Sequence, residues 1–308
     1  MGRVKKISIA WVAVLMVVFM VLASTNLVTG EEQEEIKKIS VIVENQGESG
    51  TDDFKRGIEE AANAKRADID YMEINGEEET EKILEYIRRE RENGVQAMIL
   101  LTDRQQTVLQ YLESGKKEMP LIWANLDSKD GKVTANITFD TEVMTQELAE
   151  KIQKEYGEQA EVVLLTNERE SVKKLSLVLE QEFAGYSFTV TRMKISRNAV
   201  RKCLDEGEKK KIFIGCSADV TEQASLFFRE NEAVLLGIGY SDKVLQNIRE
   251  GKIDGVMAYS MYSIGFYAMQ SAVTAAEKKD FEPEIQVPCK WITKENMKSE
   301  YDFLFPIY

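Results

Sequence analysis

The sequence predicts an α/β protein made of two doubly wound parallel-sheet lobes. Three observations carry that prediction. Short apolar runs alternate with stretches whose apolar residues recur at helical spacing, which calls for a parallel sheet covered by helices. The alternation starts afresh after Asn136, and 308 residues with 44% hydrophobic content and four prolines suit two medium α/β domains rather than a disordered chain. Residues 234–266 then read strand, loop, helix, strand, loop, helix from residue chemistry alone.

The chain begins with the basic residues Arg3, Lys5 and Lys6, followed by a nearly unbroken apolar run over residues 7–23 and the acidic residues 31–35. This order is that of an export signal with its N-terminus in the cytoplasm. Two fates are open for residues 1–30, a cleaved signal peptide or an N-terminal membrane anchor. The run is long for a signal core and just short of the roughly 20 residues a spanning helix prefers. No cysteine lies near residue 24 to accept a lipid.

In the first lobe, residues 39–43 form a strand, and Phe54, Ile58, Ala61 and Ala62 mark one helix face. A strand at 69–74, a helix from Glu79 to about Arg91 ended by Gly94, and a strand at 97–101 follow. Asp103 comes directly after that strand, a helix continues through 108–112, and Pro120 precedes the strand 121–123. Ligands of such sheets sit beyond the carboxyl ends of the strands, so the loops that matter are 44–53, 102–106 and 125–129.

In the second lobe, Asp140 caps a helix carrying Val143, Leu148 and Ile152, followed by a strand at 161–165, a loop at 166–171 and a helix at 172–183. Strands at 188–193 and 212–214 flank the basic residues 209–211, which read as a solvated boundary. In residues 234–266, Ser241 or Asp242 caps a helix carrying Val244, Leu245 and Ile248. Gly251 stops it, residues 253–259 form the next strand, and a helix starts at about Ile264 and runs to about Glu277. A strand at 289–293 closes the fold.

Composition removes several function classes. Histidine is absent, which excludes Ser-His-Asp and Cys-His catalysis and imidazole metal ligands. Cys203, Cys216 and Cys289 are too far apart for redox or zinc motifs and read as free thiols. A net charge of −13 disfavours nucleic acid as a partner. A glycosidase using paired carboxylates has only the abundance of acids behind it. Composition and motifs thus point to no catalytic residues, metal or cofactor.

The run "IREGKIDGVMAYSMYSIGF" and the closing "EIQVPCKWITKENM" resemble the C-terminal part of the type I periplasmic sugar-binding proteins, the ribose-binding group. The resemblance extends over roughly residues 37–297. It implies two lobes joined by a three-crossing hinge, with crossings near 136–138, 259–262 and 283–287. The N-terminal lobe would be residues 36–136 plus 262–286, and the C-terminal lobe residues 137–261 plus 287–308. In place of a DNA-binding helix-turn-helix, the N-terminus carries the apolar leader, which disfavours a repressor of the same fold.

Counted from the shared anchors Gly57, Pro120, Gly237 and Gly265, the family's pocket positions fall on altered residues. The first loop, with Asn45 and Glu48, holds Glu48, Gly50 and Thr51 where the ribose group has an asparagine and two ring-clamping phenylalanines. The aspartate–arginine pair after the fourth strand falls on Asn125 and Leu126. A further arginine falls near Leu175, with Arg169 and Lys173 the nearest cations. The last three positions are Ser217, Gly239 and Tyr259. Tyr240, Tyr259 and Tyr262 either stack on a ligand or pack in the hinge. Glu48, Asp52 and Asp103 either form an acidic cleft mouth, suited to a polyol, a modified sugar or a cationic solute, or are exposed loop acids.

The resemblance thus implies an extracytoplasmic solute-binding protein, secreted or anchored to the outer face of the membrane. It would capture a small polar, carbohydrate-like ligand other than ribose and deliver it to an ABC permease. The alternative is a membrane-anchored sensory protein feeding a histidine kinase or chemoreceptor. The expected ligand-binding set is Asn45, Glu48, Asp103, Asn125, Arg169, Ser217, Gly239 and Tyr259.

Overall fold

The computed structural model describes residues 16–20, 36–44, 50–74, 80–113, 119–124, 133–206, 211–229, 232–304 and 306. It divides into a unit of residues 1–36 and a unit of residues 37–308. In the first, residues 16–20 are helical with exposed apolar side chains. The rest of the expected leader, residues 1–30, lies outside the described residues. Among the described residues no helix is long and apolar enough to cross a membrane.

The second unit opens with β1 (Lys37–Glu44), α1 (Gly50–Lys65), β2 (Ala67–Ile74), α2 (Thr80–Glu92), β3 (Ala97–Leu101), α3 (Gln105–Glu113), β4 (Leu121–Ala124) and β5 (Ala135–Phe139). It continues through α4 (Thr141–Tyr156), β6 (Glu161–Thr166), α5 (Glu170–Phe183), β7 (Thr189–Lys194), α6 (Arg197–Asp205), β8 (Ile212–Gly215), α7 (Ala218–Ser225) and β9 (Val234–Ile238). The last elements are α8 (Asp242–Arg249), β10 (Gly255–Tyr259), α9 (Met261–Ala276), β11 (Glu284–Val287), β12 (Cys289–Ile292) and α10 (Tyr301–Leu304).

The strands form two sheets, ordered β11-β5-β4-β3-β1-β2 and β12-β10-β9-β8-β6-β7. Every pairing is parallel except β10 with β12. Strands buried on both faces are dominated by apolar residues: β3, β4, β8 and β9 are apolar and buried at every residue, and β5 is buried throughout while carrying Asn136 and Thr138. The edge strands β2 and β7 are only partly covered and carry charges outward.

The chain passes between the sheets three times, at Asp140, Ser260 and Pro288. The first and third passages come after β5 and β11 are complete, because these strands pair with each other from Asn136↔Glu284 to Phe139↔Val287. Two extended segments cannot leave a sheet in the middle of their shared ladder.

Local chemistry accounts for the helix ends. Asp140 Oδ1 accepts from the Val143 N–H at 3.0 Å, and Ser241 Oγ accepts from Val244 N–H at 2.9 Å, so Ser241 is the cap of α8. Gly251, at φ +75°, ends that helix in the left-handed region. The helix expected from Ile264 starts at Met261, because Ser260 Oγ accepts from Ser263 N–H at 3.1 Å and fixes the first turn earlier. Lys211, expected to be solvated, turns inward: its ammonium donates to Cys203 O at 2.7 Å and to Glu206 O, closing the end of α6.

Helix α9 returns to the first sheet and crosses α1 at close range. A Cβ at Gly57 would lie 2.0 Å from Tyr262 O, and one at Gly265 would lie 2.1 Å from Phe54 O. Only residues without side chains permit that approach.

Candidate functional site

In each sheet the strand order reverses beside the first strand, between β1 and β3 in one and between β6 and β8 in the other. The crevice beyond the carboxyl ends of those strands is where doubly wound sheets bind ligands. Four segments therefore converge there: Glu44 at the end of β1, 102–104 after β3, 167–169 after β6 and 217–219 after β8.

On the first sheet Glu44 organises the segment after β3. Its nearly buried carboxylate accepts from Thr102 Oγ1 at 2.5 Å, from the Asp103 N–H at 2.9 Å and from Arg104 Nε at 3.2 Å. Arg104 Nη1 also reaches Thr80 Oγ1 at 3.3 Å. A buried carboxylate needs such donors to offset its desolvation. The consequence is a fixed backbone under Asp103, whose side chain reaches towards the second sheet.

On the second sheet Asn167 and Ser217 do the corresponding work. Asn167 Oδ1 accepts from Arg169 N–H at 3.0 Å, and its Nδ2 donates to Asp219 Oδ2 at 3.0 Å. Ser217, which precedes α7, donates its hydroxyl to Asp219 Oδ1 at 2.6 Å instead of capping the helix. Arg169 Nη1 approaches the same Asp219 Oδ1 at 3.4 Å.

The two halves meet. Arg169 Nε donates to Asp103 Oδ2 at 2.8 Å, an ion pair between residues of different sheets whose side chains are 15% and 13% exposed. Of the expected set, Asp103, Arg169 and Ser217 are thus gathered into one polar network. Lys173, the other cation considered, points away: it and Lys194 hold Glu168, and these hydrogen bonds, Lys173 first, lower that exposed carboxyl to about 2.

Gly239 and Tyr259 lie together nearer the hinge. Gly239 has φ +77°, and a Cβ built there would lie 3.6 Å from the Tyr259 ring and hydroxyl. The Tyr259 ring stacks on Phe139 with centroids 4.1 Å apart, joining the ends of β10 and β5 at two of the crossings. Tyr240 and Tyr262 are packing residues. Tyr240 donates to Leu304 O at 2.5 Å, and burial raises its hydroxyl pKa. Tyr262, 1% exposed, donates to Glu60 Oε2 at 2.6 Å under the guanidinium of Arg56.

Thr51 is buried in the first turn of α1, and Gly50 faces Met261. Asn45, Glu48, Asn125 and Leu126 lie outside the described residues. Four residues that the sequence reading did not single out hold the network: Glu44 and Arg104 within the marked loops 44–53 and 102–106, Asn167 within the loop 166–171, and Asp219 in the first turn of α7. The first three are polar residues at or just past the end of an apolar strand run, and that is the signal that marks them.

No curated protein matches the chain by sequence. Residues 39–280 match a family described as periplasmic binding protein domain. An ABC transporter solute-binding protein from Burkholderia graminis, in complex with D-arabinose, superposes with a TM-score of 0.77 at 16% identity, covering 87% of this chain and 99% of that one. One from Bacillus halodurans with bound myo-inositol gives 0.74 at 16% identity, covering 87% and 98%. One from Bradyrhizobium with bound Bis-Tris gives 0.72 at 17% identity, covering 89% and 87%. At these identities the likeness is one of fold.

Proposed function

The chain belongs to the periplasmic binding protein domain family, and from that premise we propose that it is an extracytoplasmic solute-binding protein that closes two lobes on a small neutral polyol. The observation that carries this reading is the network of Asp103, Arg169, Asp219, Ser217 and Asn167 at the two facing switch points. A hydroxyl both donates and accepts, so a vicinal diol bridges Asp103 and Arg169 without stranding either charge. A carboxylate ligand would be opposed by both Asp103 and Asp219, and an amine would compete with the Arg169 guanidinium for those same carboxylates, each losing charged hydrogen bonds of about 1.5–3 kcal/mol. The bound D-arabinose and myo-inositol of two structures of the same fold are solutes of this class.

Ribose is not the proposed solute, because Gly50 and Thr51 stand where the ribose group clamps the ring with phenylalanines. Delivery would be to the permease of an ABC importer, with residues 1–30 directing export. The chain is a membrane-anchored sensor instead if residues 1–30 persist in the mature protein and its neighbouring genes encode a histidine kinase rather than a permease and ATPase. The test of the solute class is a thermal-shift screen of the purified chain against neutral polyols, uronates and amines. Neutral polyols are expected to raise the melting temperature by mass action, and Asp103→Ala to abolish the shift. A shift given by uronates or amines alone refutes the class.

A further inference from the structure

The Arg169–Asp103 ion pair is a direct bond between the two lobes. It is built from halves that are each held in place within their own lobe. Glu44 fixes the backbone under Asp103 from β1, and Asn167 fixes the backbone N–H of Arg169 beside β6. Asp219, itself held by Ser217 and Asn167, takes Nη1 of the guanidinium while Asp103 takes Nε, so the two carboxylates share it. Preorganised partners lose little side-chain freedom when they meet, which is what makes a pair of this kind stronger than a flexible surface bridge.

Elsewhere Asp53 in the first turn of α1 pairs with Arg56 of its own helix at 3.1 Å; burial raises its carboxyl, Arg56 lowers it, and Asp242 at the start of α8 raises it as a like charge.

We propose that Asp103, Arg169 and Asp219 form an electrostatic latch that closes the two lobes on each other through the protein's own side chains, with Asp219 as the residue that positions Arg169. Closure then needs no bridging solute, and a solute that enters exchanges its hydroxyls for the latch bond. The latch concerns the lobes themselves and stands or falls separately from the choice of solute.

The test is a distance measurement on the full chain without added solute. Dyes are attached through p-azidophenylalanine at Glu81, in the first turn of α2, and at Asn198, in the first turn of α6, both exposed positions on opposite lobes. Single-molecule energy transfer reads the closed and open populations. Arg169→Gln and Asp103→Asn should each lower the closed-to-open ratio about tenfold or more, the loss expected for a charged hydrogen bond. The double variant should go no further than either single one, because both remove the same bond. Asp219→Asn should open the lobes to a lesser degree, and Asp219→Glu should restore closure. Unchanged populations in both Arg169→Gln and Asp103→Asn, with native circular dichroism, overturn the latch. Unchanged populations in Asp219→Asn alone overturn the positioning role. Should Arg169→Gln fail to fold, Asp103→Asn on the other lobe decides the question. Latch-dependent closure in a chain that binds no polyol would leave this inference intact and remove only the solute reading.

Discussion

Gly265→Ala tests the crossing of α1 and α9 that ties the second hinge passage to the first sheet. The added methyl would sit 2.1 Å from the Phe54 carbonyl oxygen and 3.0 Å from its carbon. Backbone cannot rotate away as a side-chain tip does, so the helices must part by roughly 1 Å to reach ordinary contact. Overpacking of this kind costs about 1–3 kcal/mol. Gly57→Ala meets the same crossing from the other side, 2.0 Å from Tyr262 O and 2.8 Å from Phe266 N, and should cost as much. Once one methyl has separated the helices the second has room, so the double variant should cost less than the two added together. Equilibrium urea unfolding followed by circular dichroism measures this. The midpoint should fall by about 0.3–1 M for each single variant. A wild-type midpoint in either variant, or strict additivity in the double, would refute the claim that these glycines relieve one shared backbone contact.

Two further outcomes are expected. Tyr240→Phe removes the bond to Leu304 O and should cost about 1–2 kcal/mol, with faster amide exchange confined first to residues 301–304; unchanged exchange there would show that the bond does not hold α10. Cys216 and Cys289 are pushed up to about 12, chiefly by burial, whereas an unfolded thiol titrates near ~8.5. Their contribution to stability is whole below that lower value and is lost as pH rises towards the upper one, because the unfolded chain gives up protons that the folded chain keeps. Unfolding midpoints should therefore decline from about pH 8.5 upward, and the Cys216→Ala, Cys289→Ala double variant should show a shallower decline between there and the onset of tyrosine ionisation. An identical slope in the variant would count against buried thiols as its source.

The fold was legible wherever burial follows periodicity. The expected α/β class and the resemblance to type I sugar-binding proteins are borne out by the two parallel sheets and by the family match. Elements escaped where burial is not apolar. Helix α6 buries only Val200, so it has no hydrophobic stripe to read. Helix α7 buries Thr221 and Ser225 beside small residues, because it lies directly on Gly215 and Gly237, where any Cβ would come within 2.5 Å of Thr221 atoms. Strand β11 has an exposed, alternating pattern and exists because it completes the pairing of β5. In the site, Asp103 was visible as a polar residue directly after a strand and Arg169 and Ser217 through the family resemblance, while Glu44 and Asp219 act through bonds to residues 58 to 60 and 50 to 52 positions away.

By itself the sequence determined the alternation of the apolar strands and striped helices, the absence of histidine chemistry and the framework glycines, because each of these is a property of a residue and its near neighbours. Only the tertiary structure decided what the polar loop residues do. Whether Arg169 faces solvent, a solute or Asp103 depends on how two sheets approach each other, and the charge of a residue carries no information about the distance to its partner. The same holds for the tyrosines near the hinge, where packing assigned Tyr240 and Tyr262 to buried hydrogen bonds and set Tyr259 against Phe139.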